Sequence, residues 1–138
     1  SLIASEKILD ILDNIYDGDI EFKDQDHSKA TYAKKIQKIE GKINWSENAE
    51  KIIGKINGLY PFPGAWFSFN GERYKILKAE FSYAKGEVGL ILNENFEIGC
   101  AKNSIKILEI QREGKKVQKI SEFMLGTQIK KGTNLNNA

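Results

Sequence analysis

The sequence predicts a mainly β domain, a small barrel or sandwich with short helices, preceded by an amphipathic helix and a polar linker. Three observations carry this. Beyond residue 64, short runs of alternating apolar residues recur, with turn residues about every eight to twelve positions. Asn70-Gly71 stands between two such runs, a strong hairpin signal. Helical periodicity is confined to two stretches before residue 58 and one near residue 121.

The first helix spans Ile3 to Tyr16, where Ile8, Leu9, Ile11, Leu12, Ile15 and Tyr16 place a wide apolar stripe on one face. Gly18 ends it, and the polar run "DGDIEFKDQDHSKA" follows as a loop. A stripe of that width needs a surface to lie against. It reads as the last helix of a structure outside this chain, with folding back onto the following domain as the alternative.

A second helix starts with Ser46 as N-cap and carries Glu47 and Glu50 in its first turn, where negative charge meets the positive end of the helix dipole. Ala49, Ile52, Ile53 and Ile56 form its apolar face, and Gly58 closes it. The segment "GLYPFPGAWF" (58–67) then holds both prolines of the chain. Tyr60 and Phe62 each precede a proline and are pushed toward extended geometry, so the segment is a stiff route from helix to strand. Its rings are expected chiefly to fill the core, with a stacking platform for bases made from Tyr60, Phe62 or Trp66 as the other reading.

Strands are expected over "AWFSF", "ERYKILKAEFSY", "EVGLIL", "FEIGCA" and "SIKILEIQ". In the second, Tyr74, Ile76, Lys78 and Glu80 are expected to face opposite to Lys75, Leu77, Ala79 and Phe81. Ser121 is the expected cap of a short helix "EFMLG", and the tail "GTNLNNA" is expected to fray.

At 138 residues the chain suits one ordinary domain with an appendage. It has no long apolar run and no basic-then-apolar leader, so the expectation is a cytoplasmic protein without a membrane partner. Cys100, the single cysteine, has no partner for an internal disulfide and reads as a small buried side chain. The net charge of +2 hides a division: residues 1–28 carry eight acidic groups against two lysines, and the remainder carries 19 basic against 11 acidic. The larger part therefore favours an anionic partner.

Residues for catalysis are scarce. The single histidine, His27, sits in an acidic loop, which leaves no nucleophile–base pair and no ligand set for zinc, so no catalytic or metal site is expected. Asp24 and Asp26 lie in a solvated loop, and "GEVG" (86–89) lacks the helix that a phosphate loop needs. Binding remains. Lys29, Lys34, Lys35, Lys38 and Lys42 make one basic run, and Lys115, Lys116 and Lys119 another. Several such lysines together suit a polyphosphate.

Three segments in succession, "ATYAKKIQKIEGKINW" (30–45), "GLYPFPGAWF" (58–67) and "LEIQREGKKVQKISEFMLG" (108–126), resemble the C-terminal domain of the methionyl-tRNA formyltransferase family. The resemblance implies an OB-fold-like barrel over 29–138 that binds initiator methionyl-tRNA, with residues 1–28 similar to the end of the catalytic domain and the linker leaving it. It further implies that formyl transfer from 10-formyltetrahydrofolate belongs to an N-terminal domain of the same polypeptide, and that this chain alone is inactive and needs no cofactor. The tRNA contacts expected on this basis are Lys34, Lys35, Lys38, Lys115, Lys116 and Lys119, with Lys42 and Arg112 as lesser candidates. Sequence departures from the family pattern are Ile39 where Glu is common, Tyr60 and Phe62 where Asn and Trp are, and Asn103 where a turn glycine is. Asn tolerates positive φ, so the last leaves the fold intact. A related formyltransferase acting on an amino-sugar nucleotide is the alternative parent, and the double lysine of "EGKK" favours the polyanionic substrate.

Overall fold

A computed structural model of the chain describes residues 2–137. The chain divides into two compact units, one ending at Lys34 and the other beginning at Lys35.

In the first unit, helix α1 (Leu2–Asp17) has no buried residue, and Leu9 and Tyr16 are 69% and 91% exposed. Gly18 stops the helix at φ +79°, a conformation that costs glycine little. Asp26 then caps a 3-10 turn over His27–Lys29 by accepting from the Ser28 N–H at 3.0 Å.

The second unit is an antiparallel sheet covered by two helices: α2 (Ala49–Gly58), β1 (Ala65–Phe69), β2 (Glu72–Ser82), β3 (Glu97–Gly99), β4 (Ser104–Arg112), β5 (Gln118–Lys119) and α3 (Ile120–Gly126). The strand order is β1-β2-β4-β3, with β5 also on β4. Among the described residues β1 pairs with neither β3 nor β5, so the sheet is open. The free edge of β1 is taken instead by the segment before α2, where the Ile43 N–H donates to the Trp66 carbonyl at 2.8 Å. With helices and strands holding similar numbers of residues, the architecture is mixed α/β with an open sheet, and a closed, mainly β barrel is not what it displays.

Local sequence explains the hairpin. Asn70 (φ +49°) and Gly71 (φ +77°) both take the left-handed conformation that a two-residue turn matched to strand twist requires. Asn103 does the same at φ +65° between β3 and β4. Helix α2 buries Ala49, Ile52 and Ile56, as its period demands. Its cap, however, is Asn48 and not Ser46. The Ser46 N–H is engaged by the Asn44 side chain at 3.1 Å, and the helix start is tied to the β3–β4 turn through the Ala49 N–H on the Lys102 carbonyl, 3.1 Å. Glu47, outside the helix, ion-pairs with Lys51 at 2.7 Å. Helix α3 is likewise entered from β5, with Lys119 as its cap and Ser121 one position inside.

In β2 the alternation changes phase. Tyr74 and Ile76 are buried, but a register shift between Ile76 and Ala79 exposes Lys78 and Glu80 and turns Ala79 and Phe81 toward the core. Ile76–Ile110 and Ala79–Ile107 share one register, so each strand carries one extra residue between them and both strands exchange faces there. The expected strand over "EVGLIL" contributes only isolated bridges at Leu90 and Ile91, because Val88 and Gly89 (φ +77°) form a turn. That turn holds the tail as far as Asn136, which does not fray as expected; Ala138 lies outside the described residues. Leu135 is buried and donates to the Gly89 carbonyl at 2.9 Å, and Asn136 Nδ2 donates to the Val88 carbonyl at 2.6 Å.

The core carries a chain of rings that starts just before α2 and passes through α3: Trp45, Phe67, Tyr74, Phe123 and Phe96, with successive centroids 5.4–5.9 Å apart. Cys100 is buried behind β3, and burial pushes its thiol up to about 11, which keeps it an unreactive packing group.

One carboxylate is built into this core. Glu97 accepts from Ser104 Oγ at 2.8 Å and from Asn93 Nδ2 at 2.6 Å. Burial raises its pKa, but the hydrogen bonds from Ser82, Ser104 and Asn93, with Lys106 near, outweigh that and hold it below the usual glutamate range. A carboxyl whose folded pKa is depressed stabilises the fold above its unfolded value, and that contribution is lost as pH falls through the folded one. The melting temperature of the chain is therefore expected to fall as pH drops below about 4.3, the unfolded value. Glu97→Gln should be less stable at neutral pH and flatter in its acid dependence; equal acid slopes for the two proteins would refute the assignment.

A second expectation concerns Gly41. A Cβ there would run into the Gly64 carbonyl oxygen and lie 3.1 Å from Trp66 Cδ1. Backbone does not yield as a side chain does, so Gly41→Ala should cost about 1–3 kcal/mol in urea unfolding. A neutral result would mean that the 38–42 turn is free to move off β1.

Candidate nucleic-acid interface

The expected contact residues fall into separate places. Lys34 belongs to the first unit, and Lys35 opens the second. Lys38 starts a 3-10 turn, Lys38–Gly41, closed by the Gln37 N–H on Glu40 Oε1 at 2.6 Å. The Lys38 carbonyl accepts from Trp66 Nε1 at 2.9 Å, which seats this turn on β1. Lys42 follows with its ammonium 5.9 Å from the centre of the Trp66 ring, a cation–π contact.

The second basic run surrounds the turn between β4 and β5. Arg112, Lys115 and Lys116 line one groove of about 720 Å3, together with Phe69, Tyr74 and Phe123. Lys119 is not part of it: in β5 it stands opposite Glu109, which in turn stands opposite Lys78 on β2. Arg112 is partly spent, since its guanidinium pairs with Glu72. Glu72 also accepts from the Tyr74 hydroxyl at 2.7 Å. That bond and the Arg112 guanidinium hold its carboxyl below the usual range. Burial first, and Glu72 second, push the Tyr74 phenol up to about 12, so it stays a hydrogen-bond donor at neutral pH.

A smaller cleft, about 290 Å3, opens on the other side of the same turn, where Glu113 and Gly114 contribute to its wall. It brings Lys38 together with Phe62, Arg73 and Lys75. Arg73 and Lys75 were missed from sequence, although strand alternation does place them opposite the buried Tyr74 and Ile76. Phe62 and Tyr60 do not fill the core as expected: they are 71% and 59% exposed, while Trp66 and Phe67 are buried. The double-proline loop turns its first two rings outward and its last two inward.

Among the described residues, Lys34, Lys35, Lys38, Lys42, Lys75, Lys115, Lys116 and Lys119 form no salt bridge, whereas Lys51, Lys55, Arg73 and Arg112 do. A cation not held in a salt bridge is free to turn toward an anionic partner, although Lys119 stands opposite Glu109 and Lys115 lies near enough to Glu72 to help lower its pKa. The described residues contain no cluster of three or more His, Cys, Asp or Glu placed to hold a metal, and no helix long and apolar enough to cross a membrane.

Comparison with known proteins agrees with the resemblance. Residues 35–128 match the family described as "Formyl transferase, C-terminal domain". The chain is 56% identical over 138 residues to the methionyl-tRNA formyltransferase of Pelagibacter ubique (strain HTCC1062), covering 99% of this chain and 44% of that protein. It is 42% identical over 133 residues to that of Rickettsia massiliae (strain Mtu5), covering 95% and 43% respectively. The chain thus spans less than half the length of these curated relatives. Among solved structures, a HypX variant from Aquifex aeolicus superposes with a TM-score of 0.64 at 22% identity, over 91% of this chain and 24% of that one, a likeness of fold alone. The chain belongs to the formyl transferase C-terminal domain family, and methionyl-tRNA formyltransferases are among its relatives.

Proposed function

We propose that this chain binds initiator methionyl-tRNA and orients its acceptor end toward a catalytic domain, in the cytoplasm, for formyl transfer from 10-formyltetrahydrofolate. The single observation that carries the reading is that four lysines forming no salt bridge among the described residues line the two clefts beside the β4–β5 turn, Lys115 and Lys116 in one and Lys38 and Lys75 in the other. The names of the relatives supply the substrate class. Residues 1–28 serve in this reading as the last helix of the catalytic domain and its linker, and α1 presents an apolar face suited to that. Residues 29–138 form the tRNA-binding body, an OB-like fold with its long bulged β2 as the bending strand. The chain alone does not transfer the formyl group, since the residues that would bind folate and activate the amine belong to the other domain.

Lys34, Lys35, Lys38, Lys115, Lys116 and Lys119 contact phosphates, with Lys42 and Arg112 in lesser roles. Contacts of this kind position RNA and do not read its sequence. The test is the affinity of the chain for initiator tRNA across a salt series, with a DNA duplex of similar charge for comparison. A steep salt dependence with preference for tRNA is expected. Equal, weak and salt-insensitive binding of both would overturn the reading.

A further inference from the structure

The cleft beside the double-proline loop has a composition that phosphate binding alone does not explain. Phe62 is 71% exposed on one wall, held by a loop with Pro61 on one side and the buried Pro63 on the other. A phenylalanine has no polar handle, so an exposed ring on a stiff loop offers one thing only, a flat apolar face. The opposite wall is the outer face of the β1–β2 hairpin. There Arg73 is fixed between the Trp66 ring, 4.6 Å from its centre, and Glu113 at 3.6 Å. Arg73 is therefore wall.

Two cations remain for a ligand. Lys38 and Lys75 line the same cleft and form no salt bridge among the described residues. The stem of Lys75 lies across Gly64, where a Cβ would meet its Cδ at 2.5 Å and its Cε at 2.8 Å. Gly64, at φ +84°, is thus the residue that lets this lysine lie against the loop carrying Phe62. A volume of about 290 Å3 is close to the lower end of small-ligand sites, roughly 300 Å3. The matching ligand carries a π-face and one or two negative groups within a few ångströms of each other. A nucleotide has both. In a duplex the base faces are already stacked, so the nucleotide must be unpaired.

We propose that this cleft is a subsite for one unpaired nucleotide of the bound RNA, with its base on the Phe62 ring and its flanking phosphates on Lys38 and Lys75. The source of that nucleotide rests on the tRNA reading above; the chemistry of the cleft does not.

The test compares the chain with Phe62→Ala, Phe62→Trp and a Lys38→Ala/Lys75→Ala double variant. The probes are initiator tRNA, a ten-residue oligouridylate and a duplex RNA of equal length. Phe62→Ala is expected to weaken tRNA and oligouridylate binding about 5- to 150-fold, the range for one stacked base, without changing the salt slope. Phe62→Trp should restore binding, and duplex affinity should not move. The lysine double variant should lower the salt slope by about two units. Because Phe62 is exposed, an unchanged melting temperature will certify the fold of its variants. If Phe62→Ala binds tRNA and oligouridylate like the parent while Lys115→Ala/Lys116→Ala weakens tRNA, the subsite is refuted and the tRNA reading stands. If oligouridylate binding depends on Phe62 but initiator tRNA is not preferred over the DNA duplex, the subsite stands and the tRNA reading falls.

Discussion

Replacement of Lys34, Lys35, Lys38, Lys115, Lys116 and Lys119 together by alanine is expected to reduce tRNA affinity about 1000-fold at low salt and to remove most of its salt dependence. Each lysine that neutralises a phosphate adds a little under one unit to the slope of log K against log salt, so six of them account for roughly four to five units. All six are exposed and none is tied to a carboxylate among the described residues. Arg112 and Lys42 should matter less singly, since Arg112 already pairs with Glu72 and Lys42 lies by Trp66. Removing Arg112 also strands Glu72 in the groove, which adds repulsion, so Arg112→Ala should be read beside Arg112→Ala/Glu72→Gln. An unchanged slope in the six-lysine variant, with the fold intact, would move the tRNA contacts elsewhere.

The largest stability loss is expected at Phe96. This residue is fully buried, its ring edge-on to Phe123 at 5.8 Å, yet its backbone sits at φ +57°, a region that a bulky side chain rarely enters. The turn before it supplies part of the reason: the Phe96 N–H donates to the Asn93 carbonyl at 3.3 Å, and the Asn93 side chain accepts from the Asn95 N–H at 3.0 Å. The rest is burial of the ring at the end of the aromatic chain. Phe96→Ala keeps the backbone penalty and loses the ring, and should cost about 3–5 kcal/mol in denaturant unfolding, a large fraction of an ordinary domain's stability. Phe96→Gly loses the same ring but sheds the penalty for positive φ, so it should be no more destabilising than alanine. A glycine variant clearly worse than the alanine one would show that Phe96 is not strained.

Much of the local structure was legible. The Asn70-Gly71 hairpin, the apolar face of α2 and the left-handed Asn103 depend on residues within a turn or two of one another, and their sequence signals are correspondingly short. The face of β2 was legible only up to Ile76, because the bulge that follows is set by pairing with β4. Aromatic character alone places Phe62 inward; the loop geometry that turns it out depends on the packing of Gly64 and Trp66 against the 38–42 turn. The basic runs were visible as charge, but their division between a groove, a cleft and a strand edge was not.

By itself the sequence determined the family, through three segments that resemble it, and most of the order of helices and strands and the basic excess beyond residue 28, which follow from periodicity, turn residues and composition. Only the tertiary structure decided that the sheet stays open, that the tail is anchored, and which cations are free for a ligand. Each of those depends on groups far apart in the chain: Arg112 and Glu72 are 40 residues apart, and Asn136 and Val88 are 48. Whether a charge is neutralised or a backbone group satisfied is settled by which partner folding brings within about 3 Å, and that distance is not written in any local stretch of residues.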